Sequence, residues 1–467
     1  MTYIEEYYKF LKSNPEKANK KVLTVYKKLV ADLKEPKQVT FYNEITEETE
    51  THTYIFDIKR GRRPIEFIEK FCKHSKGRWA GKPVKLELFQ KAFIEALYGF
   101  IDSETGTRKY KKGALFVARK NGKSTLDSGL SIYMLTKDGE GGAEVYSVAT
   151  KRDQAKVVWD ECKRMIKKSP ELNKRIRCLV GGIYYDRTES FIKALASDSN
   201  SLDGLNTFFG VADELHAWKD KNLLDVIYDS MSAREQPMLL ETSTMGTIRE
   251  SVFDNEYDYF AEIIKGYEGE SDVKDETVLP VIYELDHPDE WQDEKKWYKA
   301  NPALGVIKNI KDLRDKVARA KQNPIELTNL LCKDFNIRQT DQNSWLTFEM
   351  ANNEETYSME DLEDNYAVGG VDLSSTSDLT CATLLIYKND KKYVLQQYFL
   401  AKERMDYKIK DDKIPYDEWE KRGLLTVCEG AKVNYTDVTN WFLKMKSDYE
   451  IAPLWIRIRP LERQLLD

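Results

Sequence analysis

The chain has 467 residues, which at roughly 100–200 residues per domain predicts two to four folded units. Apolar residues make up 41% and charged residues 33%, which excludes a disordered chain, and no apolar run approaches the ~20 residues of a membrane span. The net charge of −6 gives no global sign of nucleic-acid binding, so any DNA contact has to be made by a local basic face.

The polar N-terminus has no apolar core of the kind that a signal peptide carries, so we expect a cytoplasmic protein without membrane contact. Residues 1–60 predict an N-terminal helical region, because apolar residues recur at helical spacing in the stretch KKVLTVYKKL. Residues 61–265 contain short β-rich runs that alternate with helical segments such as 152–167 and 222–232. The runs are GALFVAR, AEVYSVAT, SFIKALAS, NTFFGVADE and MLLETST.

This alternation predicts an α/β fold with a mainly parallel sheet and covering helices. Residues 266–349 are rich in charge and poor in strand signals, so we expect a helical connector there, with a long helix from about residue 311 to residue 334. The β-type runs YAVGGVDL, LTCATLLIY and KYVLQQYFLA then predict a second sheet domain over residues 350–467.

The stretch FVARKNGKST matches half of a phosphate-binding loop. Gly122, Lys123 and Ser124 follow a predicted strand and precede a predicted helix, the context in which backbone N–H groups hold phosphates. Lys123 would reach the β- and γ-phosphates, and the Ser124 hydroxyl would bind Mg²⁺. Half a motif on its own also arises by coincidence, and the position of the first glycine holds Val117.

Two adjacent acids, Asp213 and Glu214, end the apolar run FFGVADE. In an ATPase the first would hold Mg²⁺ and the second would orient and deprotonate the attacking water, whereas the alternative is a strand end with solvated acids. Arg119, beside the phosphate loop, could neutralise charge on the transferred phosphoryl group.

The run MLLETSTMG also ends in small polar residues. Its Ser243 and Thr244, followed by Gly246, could sense the γ-phosphate and relay its loss, or could form only a strand-to-loop turn. In the second domain, Asp372 ends a short apolar strand, as in a ribonuclease-H-like nuclease. Such a site needs several carboxylates for two Mg²⁺ or Mn²⁺ ions, and Asp372 and Asp378 are equally consistent with turn residues of a hairpin.

Together these stretches resemble the large terminase subunit of tailed bacteriophages, over nearly the whole chain. The family's deviant phosphate loop has a basic residue three positions before its glycine, as in ARKNGKS, and this implies Arg119 as an arginine finger and Asn121 to Thr125 as phosphate contacts. LELFQKAFIEALYGF is similar to the family's adenine-recognising segment and implies Gln90 as the base contact. Further stretches that resemble the family are SVATKRDQA, LDGLN, AREQP and WYKANPAL.

The resemblance implies a P-loop ATPase domain followed by an incomplete ribonuclease-H-like nuclease domain, with ATP and Mg²⁺ as cofactors and Mg²⁺ or Mn²⁺ in the nuclease. It implies a homo-oligomeric ring on the portal protein, with double-stranded DNA and the small terminase subunit as partners. The location would be the host cytoplasm and not the mature virion. The rivals are a helicase-like DNA translocase without nuclease activity and a DNA-binding scaffold with an inert phosphate loop.

The C-terminal sequence departs from the family. A strand such as Ile-Gly-Tyr-Asp-Pro-Trp-Asn-Ala is expected, yet WIRIRPLERQLLD carries Arg457 and Arg459. The codons GGA-TAC-GAC-CCC-TGG-AAC-GCC-AG, read one base out of frame after an extra C, encode Arg-Ile-Arg-Pro-Leu-Glu-Arg-Gln, the sequence of residues 457–464. We therefore hypothesise a frameshifted, truncated member with an impaired nuclease, which sequencing the DNA beyond the Ile456 codon would test.

Overall fold

The structure is a computed structural model that describes residues 1–43, 48–197, 204–218, 221–246, 251–339, 355–374, 379–412 and 414–459. The chain divides into two compact units, Met1–Trp345 and Leu346–Asp467. Both are mixed α/β structures, in which helices form parts of the segments that connect the strands along the chain.

The first unit begins with two amphipathic helices, α1 (Tyr3–Ser13) and α2 (Lys20–Asp32). Each starts at a side-chain N-cap, because Thr2 and Asn19 accept hydrogen bonds from backbone N–H groups of the first turn. The expectation that this whole region is helical is wrong beyond α2. Strands β1 (Lys37–Asn43) and β2 (Glu48–Phe56) form an antiparallel pair that continues into β3 (Phe100–Asp102).

The physical reason lies in the composition of this hairpin. The segments KQVTFYN and ETETHTYIF are rich in β-branched and aromatic residues and have no 3.6-residue apolar repeat, so extended backbone is favoured. Thr40 and Thr51 face each other across the two strands, with 3.0 Å between their hydroxyl oxygens.

The main sheet has eight strands, and all five expected runs are strands in it. Their order across the sheet is β11-β4-β10-β9-β5-β8-β7-β6, parallel from β11 to β8 and antiparallel at β7 and β6. The mainly parallel arrangement is therefore confirmed. The strands are β4 (Lys112–Phe116), β5 (Glu144–Ala149), β6 (Arg177–Cys178), β7 (Ile183–Tyr185), β8 (Ser190–Ala196), β9 (Thr207–Asp213), β10 (Met238–Ser243) and β11 (Val278–Ile282).

Helices connect these strands, and the two helices expected near residues 152–167 and 222–232 are present as α6 and α8. Buried apolar side chains of α5 and α6 join the main hydrophobic core of the sheet. The helices are α3 (Ile58–Phe71), α4 (Leu88–Gly99), α5 (Lys123–Thr136), α6 (Arg152–Lys168), α7 (Pro170–Asn173), α8 (Asn222–Asp229) and α9 (Val252–Gly266).

The expected helical connector is more closely integrated with the first unit than its composition indicates. β11 pairs in parallel with β4 at the edge of the main sheet, and residues up to Trp345 belong to the first unit. The expected long helix is two helices, α10 (Ile310–Gln322) and α11 (Pro324–Phe335). Asn323 between them is extended, with φ −131° and ψ 101°, because a residue before proline disfavours helical backbone.

The second unit contains a five-stranded sheet with the order β15-β14-β13-β12-β16. The three expected strands are β12 (Tyr366–Asp372), β13 (Thr380–Lys388) and β14 (Lys391–Ala401), which form an antiparallel meander. β15 (Leu425–Cys428) and β16 (Ala452–Arg459) add to its two edges in parallel. The helices of this unit are α12 (Met405–Asp412), α13 (Tyr416–Lys421) and α14 (Tyr435–Tyr449).

Among the described residues, no helix is long and apolar enough to cross a membrane.

Candidate functional site

The phosphate loop connects β4 to α5 at the carboxyl edge of the main sheet. Gly122 is the N-cap of α5 and has φ 90°, a left-handed conformation that favours glycine. The first backbone N–H groups of α5 lack partners within the helix, so they can bind an anion. The Lys123 side chain is buried, and its Nζ donates a hydrogen bond to the Val117 carbonyl oxygen at 3.1 Å.

The loop is held by the connector segment instead of by a first glycine. Asn121 donates to the carbonyl of Ala118 at 2.9 Å and to Asn301 Oδ1 at 3.0 Å, and its own Oδ1 accepts from the Ala303 N–H at 3.1 Å. Asn301 in turn donates to the Asp334 carbonyl at 2.8 Å. The buried Asn121 and Asn301 amides therefore anchor the loop to the end of α11.

Arg119 lies on the outer side of this loop. Its backbone N–H donates to the Lys333 carbonyl at 3.0 Å, while its side chain is exposed. The side chain borders a cleft of about 340 Å³ that is also lined by Lys316 and Lys333. The positive charge of Arg119 contributes to lowering the pKa of Glu214, so the guanidinium favours the ionised form of that carboxyl group.

Asp213 lies at the end of β9, next to the start of α5. Its Oδ2 is 3.5 Å from Ser124 Oγ, and its Oδ1 accepts hydrogen bonds from the Glu214 N–H at 2.9 Å and from Thr242 Oγ at 3.0 Å. Burial and the charge of Glu214 raise the pKa of Asp213, against the opposing effects of Lys123 and Thr242. A cation beside Asp213 would favour the ionised carboxylate.

Ser124 and Asp213 fit a shared Mg²⁺ ion. Adjacent oxygen ligands of an octahedral Mg²⁺ lie about 3 Å apart, so the observed 3.5 Å needs only a small side-chain movement. A hydroxyl and a carboxylate are also the oxygen donors that this ion prefers.

A second buried acid, Asp127 of α5, lies behind Asp213. Thr242 Oγ is 3.0 Å from Asp127 Oδ2 and 3.0 Å from Asp213 Oδ1. Burial and the charge of Asp213 raise the pKa of Asp127 well above its usual range. The Thr242 hydroxyl therefore links the two carboxyl groups, and because it carries one hydrogen it can donate to only one of them at a time.

Glu214 follows Asp213 with φ 51°, a left-handed conformation that is strained for a residue with a side chain. Its Oε2 is 3.1 Å from His216 Nδ1. Burial by itself raises the pKa of Glu214, but the hydrogen bond from His216 and the charges of Lys123 and Arg119 outweigh it and bring the pKa to about 2. The Glu214 carboxylate is therefore ionised at neutral pH.

The segment after β10 lies beside this acidic pair. Ser243 and Thr244 are buried, and the Ser243 carbonyl accepts a hydrogen bond at 3.1 Å from the Val117 N–H at the start of the phosphate loop. The Met245 N–H donates to Asn336 Oδ1 at 3.0 Å. A Cβ at Gly246 would lie 2.8 Å from His216 Cβ, so no larger residue fits there without movement. This segment connects the phosphate loop to the residues that follow α11.

Gln90 lies at the other side of the phosphate loop. Its Oε1 accepts a hydrogen bond from the Glu87 N–H at 3.0 Å. Its Nε2 lies close to Gly122, since a Cβ at that position would be only 3.0 Å from it. A cleft of about 540 Å³ opens beside it, lined mainly by apolar side chains and backbone. Its lining includes Trp79, Gln90, Gly122, Thr125, Val306 and Ile307.

Two family models match the chain in sequence. The model "Terminase large subunit, ATPase domain" matches residues 88–262, and "Terminase large subunit, endonuclease domain" matches residues 272–449. This chain belongs to the terminase large-subunit family. It is therefore a phage DNA-packaging protein with an ATPase and an endonuclease domain, which implies the use of a nucleotide and a divalent metal.

Individual relatives agree with this assignment. The large terminase subunit of Enterobacteria phage HK97 is 26% identical over 401 residues, which cover 85% of this chain and 76% of that protein. The large terminase subunit of Lactococcus phage p2 is 20% identical over 82% of this chain and 71% of that protein. The crystal structure of the HK97 large terminase has a TM-score of 0.53 and 24% identity, over 85% of this chain and 79% of that chain, and shows the same fold.

The endonuclease family model begins at residue 272, within the residues that fold with the first unit of this terminase. β11 and helices α10 and α11 thus lie inside the matched region but pack with the ATPase sheet and its phosphate loop. The sequence boundary and the structural boundary differ because the connector packs against the preceding domain.

The expected nuclease acid of this terminase, Asp372, ends β12 in an open cleft. β16 pairs with β12 where an acid-bearing strand was expected, and it places Arg457 opposite Gly370 and Arg459 opposite Asp372. Within the described part of the second unit, no three His, Cys, Asp or Glu residues form a metal-binding group, and Asp378 lies outside the described residues. The described residues of this cleft therefore do not fit a pair of metal ions.

Sequence reasoning missed four residues of the ATPase site: the buried Asp127, Thr242 and Asn301 and the half-buried His216. Asp127 is a carboxylate among the apolar residues of LDSGLSIYML, and His216 follows the acidic pair by two positions. A polar residue among apolar neighbours, or a titratable residue close to a motif, is the sequence signal that could have found them. Asn301 belongs to WYKANPAL, a stretch already noted for its resemblance to the family.

Proposed function

We propose that this terminase hydrolyses ATP at the carboxyl edge of its eight-stranded sheet. The observation that carries the proposal is the 3.5 Å distance between Ser124 Oγ and Asp213 Oδ2, with Glu214 as the next residue. Ser124 lies at the start of α5 and Asp213 at the end of β9. The metal-binding pair and the Glu214 carboxylate therefore lie together at one edge of the sheet. Lys123, at the first position of α5, supplies the cation for the β- and γ-phosphates.

The loop from Asn121 to Thr125 holds the phosphates, and Gln90 contacts the base. The start of α5 at Lys123 and its buried side chain support the first assignment. The position of Gln90, between the phosphate loop and the apolar cleft, supports the second. An adenine ring in that cleft would leave the triphosphate directed at the N-terminus of α5.

Glu214 orients and deprotonates the attacking water, and Arg119 stabilises charge on the transferred phosphoryl group. The low pKa of Glu214 supports its role as a hydrogen-bond acceptor for water at neutral pH. Mg²⁺, held by Ser124 and Asp213, neutralises charge on the phosphate oxygens when it is bound.

Ser243, Thr244 and Gly246 couple hydrolysis to movement of double-stranded DNA. Their support is the direct hydrogen bond from Val117 to Ser243 and the contact between Met245 and Asn336. We place the active form in the host cytoplasm, as a homo-oligomeric ring on the portal protein with the small terminase subunit, and absent from the mature virion.

Replacing Lys123 tests the ATPase assignment. Lys123→Ala should abolish ATP turnover while the thermal unfolding of the protein stays close to that of the parent. Lys311→Ala, which removes an exposed lysine at the start of α10, is the matched control and should leave turnover unchanged. Full turnover in Lys123→Ala would refute the phosphate-loop assignment, and a folded parent chain that binds no ATP would favour an inert scaffold.

The nuclease of this chain is impaired. This proposal depends on the register of β16, which pairs Arg457 with position 370 and Arg459 with position 372 of β12, where further metal ligands would be required. One aspartate cannot hold the two ions, Mg²⁺ or Mn²⁺, that such a reaction uses.

Cleavage of a supercoiled plasmid in Mg²⁺ or Mn²⁺ tests this proposal, with Asp372→Ala as the reference. The parent chain should cut no faster than Asp372→Ala. Faster, metal-dependent cutting by the parent would refute the proposal, and ATP-driven strand separation of a forked duplex would favour a helicase-like translocase.

A further inference from the structure

His216 occupies a short 3₁₀ turn, Leu215–Ala217, directly after the acidic pair. Its side chain is 12% exposed and lies between Glu214 and the segment that follows β10. The ring Nδ1 is 3.1 Å from Glu214 Oε2, 3.2 Å from Ser243 Oγ and 3.4 Å from Thr244 Oγ. One ring nitrogen therefore contacts both the proposed base and the proposed coupling residues.

The hydrogen bonds around Ser243 indicate which atom donates in its contact with His216. The Ser243 hydroxyl donates to the Thr244 carbonyl at 2.8 Å, so its oxygen accepts from the His216 N–H at 3.0 Å and from the ring. Glu214 Oε2 lies 3.1 Å from the same ring nitrogen. Because the Ser243 oxygen accepts, the tautomer with a hydrogen on Nδ1 fits the 3.2 Å contact with Ser243.

The other side of His216 is closed by Gly246. A Cβ at position 246 would lie 2.8 Å from His216 Cβ and 3.1 Å from its carbonyl oxygen. The segment from Ser243 to Gly246 therefore packs closely against His216.

We propose that His216 is a positioning residue: its ring, with Nδ1 3.1 Å from Glu214 Oε2, holds the Glu214 carboxylate in place and transmits movement of the segment 243–246 to it. The inference rests on the proposed function, because it presupposes that Glu214 activates water. The carboxylate is aligned when the segment is seated against His216 and loses its alignment when the segment moves. Hydrolysis is thereby linked to the coupling residues without a direct contact between them and the water.

Substitutions at His216 that keep or lose the Nδ1 position test this inference. In His216→Asn the amide nitrogen can replace Nδ1, whereas in His216→Gln the amide lies one bond farther out. His216→Ala and His216→Gln should lower kcat for ATP at least about tenfold with KM and mant-ATP binding unchanged, since misplaced catalytic groups cost rate and not ground-state binding. His216→Asn should stay within about threefold of the parent.

His287→Asn is the matched control, since His287 is an exposed histidine of the same unit, 69% accessible, and is remote from the phosphate loop in its contacts. Equal rates for His216→Asn and His216→Gln, or full kcat in His216→Ala, would overturn the inference while leaving the proposed ATPase intact. Absence of turnover in the parent chain would overturn both.

A further variant covers the case in which the His216 variants do not fold. Gly246→Ala crowds His216 from the opposite side and should lower kcat without changing KM. A parental kcat in folded Gly246→Ala would overturn the inference.

Discussion

Thr242→Val tests the chain of hydrogen bonds that joins the two buried aspartates. Valine has nearly the same shape as threonine, and Thr242 is fully buried, so the substitution removes the hydroxyl without leaving a cavity. Asp213 and Asp127 then both lose their hydrogen-bonding contact with the Thr242 hydroxyl. Asp127 Oδ1 has no hydrogen-bond partner among the described residues, so the acid gains no compensation there.

The magnitude follows from these two lost bonds. A hydrogen bond to a charged group contributes about 1.5–3 kcal/mol, and a buried polar group without its partner costs about 1–3 kcal/mol. We therefore expect Thr242→Val to lower the free energy of unfolding of the first unit by about 2.5–6 kcal/mol. Loss of the Thr242 hydrogen bond also raises the pKa of Asp213. The ionised form is then lost at higher pH, so the acidic limb of kcat/KM for ATP should move to higher pH.

The measurement is denaturant unfolding followed by the pH dependence of ATP turnover, with Thr242→Ser as the control that retains the hydroxyl. Thr242→Ser should keep the position of the acidic limb. If Thr242→Val and Thr242→Ser unfold within about 0.5 kcal/mol of each other and have the same acidic limb, the hydrogen-bonded chain does not exist as described.

Two other buried groups give predictions of the same kind. Asn301→Ala removes the amide that anchors Asn121 to the end of α11, so the KM for ATP should rise at least about fivefold, equivalent to about 1 kcal/mol. As a control, replacement of the exposed Asn173 by alanine should leave KM unchanged. An unchanged KM in Asn301→Ala would contradict the anchoring role. Burial and the charge of Glu256, opposed by Lys112, raise the pKa of Glu241 to about 7. Because folding raises the pKa of the Glu241 carboxyl group, the stabilising contribution of this group is complete below its unfolded pKa and is lost as pH rises through about 7. The free energy of unfolding of Glu241→Gln should therefore fall less than that of the parent between pH 5 and pH 8. Parallel pH dependences for the two proteins would show that Glu241 does not titrate in this range.

The fold was predictable wherever its information is local. Each expected strand of the ATPase sheet is a continuous apolar run between helical segments, a pattern that survives in the structure because both faces of a parallel sheet are covered. Residues 37–43 and 48–56 form strands within the region for which helices are predicted, because their β-branched and aromatic pattern favours extended backbone. β11 escaped notice because five residues, VLPVI, carry too short a signal among charged neighbours.

The candidate site was predictable in its motifs and not in its connections. Lys123, Ser124, Asp213 and Glu214 could be named because a strand–loop–helix order and a strand ending in two acids are patterns of neighbouring residues. Their roles remain proposals. Asp372 was named in the same way, but the register that sets Arg459 opposite it depends on pairing between distant segments.

By itself the sequence determined the order of strands and helices, the motif residues and the family resemblance, since these depend on residue type and short-range spacing. The tertiary structure alone decided that β10 lies between β4 and β9, which brings Thr242 between Asp127 and Asp213 and His216 between Glu214 and Ser243. It also decided that Asn301 of the connector accepts a hydrogen bond from Asn121 of the phosphate loop. Such contacts arise from lateral strand order and packing between segments far apart in the chain, where local patterning carries no signal.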